Sequence, residues 1–92
     1  MSIIGGVKPF NLANGETHDT GISKYGLFVL TDLTVGKVYV VAYDYYQNGT
    51  LVAGDIKLTD TDGYLCLIKT NGGTIKIKNT TGGNHLIAYR MV

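Results

Sequence analysis

Apolar residues recur along this chain at every second position. In the segment 74–78, Ile75 and Ile77 fall on one side and Thr74, Lys76 and Lys78 on the other, which is the period of a half-buried strand. No window sustains apolar residues at i, i+3, i+4 and i+7 without a glycine or β-branched interruption, so no amphipathic helix is expected. Strands are predicted at 25–33, 37–46, 50–58, 64–69, 74–78 and 85–92. Turn formers separate them: Gln47-Asn48-Gly49, where Asn-Gly suits positive φ, then Asp60-Thr61-Asp62-Gly63, Asn71-Gly72-Gly73 and Thr80-Thr81-Gly82-Gly83. Residues 1–21 carry Gly5-Gly6, Pro9 and Asn14-Gly15 as breakers. They read as an N-terminal arm with at most a short strand at 7–12, and residues 22–92 read as one β domain. Regularly spaced short strands with polar turns predict an all-β fold. The expected architecture is an antiparallel sandwich or small barrel, jelly-roll or immunoglobulin-like, of six to eight strands.

Two of these strands are apolar on both faces. In 37–46, Val38, Val40 and Ala42 share one face, and Tyr39, Val41, Tyr43 and Tyr45 the other. The second is Leu86-Ile87-Ala88-Tyr89 with Met91-Val92. An antiparallel sheet normally leaves one face to water, so the second face needs cover. Another copy of the chain is the expected cover, through Tyr39, Val41, Tyr43, Tyr45, Ile87, Tyr89 and Met91. The alternative is the N-terminal arm folded over one sheet. Composition points to the copy. Only 16% of the 92 residues are charged, against about 25% in a typical domain, although a small domain has a high ratio of surface to volume. Its surface must be either neutral or covered by partner chains.

The same composition narrows the chemistry. A formal net charge of +1 gives no electrostatic footprint for nucleic acid. No stretch approaches the ~20 apolar residues of a membrane span. The opening Met1-Ser2-Ile3-Ile4-Gly5-Gly6 has neither the basic start nor the long apolar run of a signal peptide. A lone Cys66, between Leu65 and Leu67, excludes an internal disulfide and reads as core. Two histidines with one cysteine argue against structural zinc, and no cofactor motif occurs. Asp60-Thr61-Asp62-Gly63 lacks the further acidic ligands of a calcium loop and reads as a turn. Glu16-Thr17-His18-Asp19 groups two carboxylates with a histidine, but no nucleophile elbow, phosphate loop or His-Glu-x-x-His accompanies it. No enzyme activity is expected. An ion held by His18 or His85, or by one histidine from each of two chains, is the residual alternative. Seven tyrosines and no tryptophan leave one more option. Tyr39, Tyr43 and Tyr45, on one face at period two, offer a stacking platform for glycans, against the favoured reading of cross-strand packing or subunit contact.

The C-terminal third adds a family likeness. Gly73-Thr74-Ile75-Lys76-Ile77-Lys78-Asn79-Thr80-Thr81-Gly82, followed by Leu86-Ile87-Ala88-Tyr89, resembles the final hairpin of small β-sandwich domains in structural proteins of tailed bacteriophages: head fibres, capsid decoration proteins and fibre tips. Gly36-Lys37-Val38-Tyr39-Val40 and Asn48-Gly49-Thr50-Leu51-Val52 fit the same pattern. The resemblance implies no catalysis and a homo-oligomer, most often a trimer. It also implies a place on the virion beside other virion proteins, after synthesis in the host cytoplasm. A small carbohydrate-binding module is the competing function.

Overall fold

The computed structural model describes residues 8–70 and 72–92; Gly5-Gly6, the start of the 7–12 segment and Asn71 lie outside them. Among the described residues eight strands form: β1 (Phe10–Leu12), β2 (Thr17–Asp19), β3 (Gly26–Asp32), β4 (Lys37–Tyr43), β5 (Gly49–Ala53), β6 (Leu65–Ile68), β7 (Lys76–Asn79) and β8 (His85–Met91). They assemble into a five-stranded sheet, β1-β8-β3-β4-β5, and a three-stranded sheet, β2-β7-β6. Every strand pair is antiparallel. The chain is therefore an all-β antiparallel sandwich. β1 pairs with β8 and β2 with β7, so the two ends of the chain are wound together across both layers, while β3, β4 and β5 run as a meander.

The stretch read as an arm supplies an edge strand to each sheet. Leu12 is buried, and the side chain of His18 turns inward beneath Phe10. The expected 50–58 strand stops at Ala53. There Gly54, at φ +87°, turns the chain against the ring of Tyr39 and the carbonyl of Val38. A side chain at position 54 meets both left-handed strain, about 1–2 kcal/mol, and a collision with a buried ring. Gly54→Ala should therefore cost about 3 kcal/mol, a fall of roughly 12–24 °C in Tm for a domain of this size. A thermal melt within about 2 °C of the parent would show that this approach does not matter.

The core lies between the layers. Phe28, Leu30, Tyr39, Val41, Tyr43, Ile87 and Tyr89 from the large sheet meet Leu65, Leu67 and Ile77 from the small one, together with Ile75 just before β7. This reverses one expectation. Tyr39, Val41, Tyr43, Ile87 and Tyr89, read as an outward contact surface, are buried inside the chain, and Met91 packs half-buried against the same core. The cause is bulk. Register puts Tyr39 opposite Leu30 and Val41 opposite Phe28. This is the face with the larger side chains, and burying it removes more apolar area from water. The smaller face, Val38, Val40 and Ala42, is left outside. Cys66 is buried, as its apolar neighbours predicted, but on the opposite side of β6 from Leu65 and Leu67. It lies under the 57–61 segment, where its Sγ is 3.3 Å from both the amide and the carbonyl of Thr61.

Asn79 ties the two ends of the fold together. It is fully buried. Its Nδ2 donates to the carbonyls of Leu12 and Gly83, 2.8 Å each. Its Oδ1 accepts from the amide and hydroxyl of Thr81, at 2.9 and 2.7 Å. The neighbouring Thr80 hydroxyl lies 2.8 and 2.7 Å from the carbonyls of Thr61 and Tyr64. The Asn-Thr-Thr-Gly run singled out in the sequence is thus a polar lock between β1, β7 and the β7–β8 turn.

Candidate functional site

Three places on the molecule carry more than packing requires. The first is the outward face of the large sheet. Strand alternation sends Leu27 and Val29 from β3, Val38, Val40 and Ala42 from β4, and Leu86 and Ala88 from β8 away from the core. Only Thr31 and Arg90 interrupt this set with polar groups. Pairing aligns the face in rows, with Arg90 beside Val29 and Val29 beside Val40. The row continues onto β5, where Ala53 pairs with Val40 and Thr50 with Ala42. Among the described residues β5 is the last strand of its sheet, and it is exposed along its whole length. Its sequence, Gly-Thr-Leu-Val-Ala, has none of the charges or prolines that usually keep an open edge from pairing.

The second place is the end of the sandwich where β3 turns into β4. Asp32 is fully buried and accepts from the Thr34 amide at 3.0 Å. Its Oδ2 lies 2.6 Å from Nδ1 of His85. The pair borders a half-open cavity of about 260 Å³, which Tyr39, Asp55, Tyr64 and Thr81 also line. A buried carboxylate that fixes one imidazole nitrogen is the arrangement that orients a general base. The nearby amides of Gly63, Gly82 and Leu86 already donate to Thr80 O, Asn14 Oδ1 and Thr34 Oγ1, so they make no oxyanion cradle. The Thr81 hydroxyl is turned to Asn79. The pair completes the polar end of the core and caps a turn.

The Glu16-Thr17-His18-Asp19 group is dispersed by the strand it forms. Glu16 accepts from the Ala13 amide at 2.7 Å, and Asp19 accepts from Gly21 N–H and the Thr74 hydroxyl at 2.9 and 2.6 Å. His18 Nε2 lies 3.0 Å from the Tyr89 hydroxyl. The Asp60-to-Gly63 segment is a turn whose Asp60 pairs with Lys78 at 2.5 Å. Among the described residues no three His, Cys, Asp or Glu side chains gather as metal ligands.

The third place is aromatic. Tyr39 and Tyr43 lie in the core, so the alternative platform of Tyr39, Tyr43 and Tyr45 does not form, and packing, the favoured reading, holds for these two. β4 ends at Tyr43, which frees Tyr45 from its alternation. It instead meets Tyr25 at 5.8 Å and Tyr46 at 5.5 Å between ring centroids. Tyr25 and Tyr46 were missed in the sequence. The hairpin register held the signal, since pairing Gly26 with Tyr43 brings the residues just beyond both together.

The buried tyrosines have a measurable consequence. Burial pushes the Tyr43 hydroxyl up to about 12. Burial, and then the carboxylates of Asp55 and Asp32, raises Tyr39. Tyr89 is raised by burial and then by Asp19. The unfolded chain ionises its phenols near pH 10, so the folded state holds these protons more tightly. Their contribution is complete below about pH 10 and is lost as pH rises from there towards 12. Stability measured in urea should fall over that window, and Tyr43→Phe should lessen the fall. An identical alkaline profile in the variant would contradict this.

No family model matches the chain, and no curated protein or solved structure matches it.

Proposed function

We propose that this chain is a non-enzymatic structural subunit that acts by assembling with identical copies through the outer face of its five-stranded sheet. The observation that carries the reading is that face: Leu27, Val29, Val38, Val40, Ala42, Leu86 and Ala88, interrupted by Thr31 and Arg90, beside an uncharged edge strand whose pairing with β4 shifts register between Val40 and Val41. Contiguous apolar surface of this kind is rare on small monomers. A second copy is the partner that answers both features. It can cover the apolar face with an identical one and pair the β5 edge with a strand. Closed symmetry is what keeps such an edge from polymerising.

The setting follows from the resemblance of the final hairpin to tailed-phage β-sandwich proteins. On that reading the subunit is a virion component, a capsid decoration protein, head fibre or tail-fibre part. It is trimeric, made in the host cytoplasm and joined to other virion proteins. The dispersal of Glu16, His18 and Asp19 onto separate partners supports a role without catalysis. Mass spectrometry of purified particles tests the setting: the chain should be recovered in fixed ratio to the major capsid or tail protein, and its absence from particles would overturn it.

A further inference from the structure

We infer that Tyr25, Tyr45 and Tyr46 form a glycan-binding platform that stacks on the apolar face of a pyranose ring. The three rings are 63, 74 and 75% exposed. Exposing three adjacent aromatic side chains is unfavourable for folding alone, because each leaves apolar area in water. Their own clustering recovers only part of it. Tyr25 and Tyr45 flank a shallow groove whose other lining residues are Ser23, Lys24 and Gln47.

The groove is held in shape. Gln47 is the one non-glycine residue at positive φ, 67°, among the described residues, a conformation that costs about 1 kcal/mol or more. A set of bonds fixes it there. The Gln47 amide donates to Asp44 O at 2.7 Å, and the Asn48 amide to Asp44 Oδ1 at 3.0 Å. The Gln47 side-chain oxygen accepts from Ser23 Oγ at 3.2 Å and from Lys69 Nζ at 2.5 Å. The turn that carries Tyr45 and Tyr46 is thereby fastened to the segment that carries Tyr25. Preorganisation of this kind reduces the entropy lost when a ligand binds.

The chemistry of the groove selects the ligand. A pyranose has a flat C–H face and a rim of hydroxyls that both donate and accept. A tyrosine ring matches the first, and its hydroxyl matches the second. The three tyrosines stand largely exposed, and Lys24 adds an ammonium donor at the rim. One cation is too few to hold a phosphate backbone. The inference stands apart from the assembly reading, since it concerns the tip beyond β4 and would hold for a monomer.

The test is an amide NMR titration of the isotope-labelled chain with maltohexaose, cellohexaose, chitotetraose and a hyaluronan hexasaccharide, each taken to millimolar concentration. At least one should shift the amides of 23–25 and 44–48 saturably. Tyr25→Ala and Tyr45→Ala should each weaken that binding at least tenfold with unchanged melting, because both rings are largely exposed. Tyr64→Ala, at the opposite end of β4, should leave it intact. No saturable shift at these amides with any of the four sugars would overturn the inference, as would binding that survives both platform substitutions.

Discussion

Asn79→Asp is expected to destabilise the chain by about 3–5 kcal/mol at neutral pH, the cost of stranding an unpaired charge in a core. The change preserves shape and inverts chemistry. Where Nδ2 now donates to the carbonyls of Leu12 and Gly83, a carboxylate oxygen would face two carbonyl oxygens in a site closed to water. A domain of this size has only about 5–14 kcal/mol to lose, so a drop in Tm of at least about 12 °C should follow. The pH dependence carries the sign. The introduced carboxyl would have its folded pKa raised above the unfolded value near 3.9. The penalty therefore grows as pH rises through that value and shrinks below it. Thermal melts at pH 7 and pH 3 decide it. The gap between variant and parent should narrow in acid. A variant that melts within about 3 °C of the parent at neutral pH would remove Asn79 from its role as the lock between β1 and the last hairpin.

The second large effect separates the two faces of one strand. Val40 and Val41 are neighbours in β4, yet Val41 is fully buried between the sheets and Val40 points outward. Val41→Asp should unfold the chain, because it buries an unpaired charge in the core. Val40→Asp should leave the monomer folded, losing about 1 kcal/mol of strand preference, and should weaken self-association at least a hundredfold by placing a charge in the middle of the apolar face. Circular dichroism reports the fold of each and light scattering the mass. If Val40→Asp kept the parent's assembled mass, the outer face would not be the contact. If Val41→Asp stayed folded, the assignment of the two faces would be reversed.

These two residues also mark how far the sequence could be read. Period-two alternation located six of the eight strands, and it correctly described 37–46 and the C-terminal run as apolar on both faces. It could not say which face is inside. Alternation defines two sides, and choosing between them depends on which neighbours lie alongside. Leu30 and Phe28 stand beside Tyr39 and Val41, a pairing no local pattern contains. β2 escaped for a related reason. Thr-His-Asp has no strand signature, and it becomes a strand only because β7 offers an edge 55 or more residues away in sequence, pairing Asp19 with Lys76 and Thr17 with Lys78. The contact between Asp32 and His85 is of the same long-range kind. The tyrosine cluster was half legible. Alternation points to Tyr45 but pairs it with Tyr39 and Tyr43, and that alternation does not continue past Tyr43.

The turn after β4 shows a local misreading with a physical cause. Asn48-Gly49 marked it, yet the left-handed residue is Gln47. Gly49 serves a different need, since a side chain there would press on Tyr43 and Val41. The glycine allows a close approach to Tyr43 and Val41, and the bonds from Gln47 to Ser23 and Lys69 hold the strained conformation.

The measurement that bears most directly on the assembly reading is the mass of the unmodified chain in solution. Light scattering coupled to size exclusion, at micromolar concentration, should return at least twice the chain mass of 9.9 kDa, threefold on the proposed trimer. A mass of 9.9 kDa, with the outer face of the large sheet left in water, would contradict it.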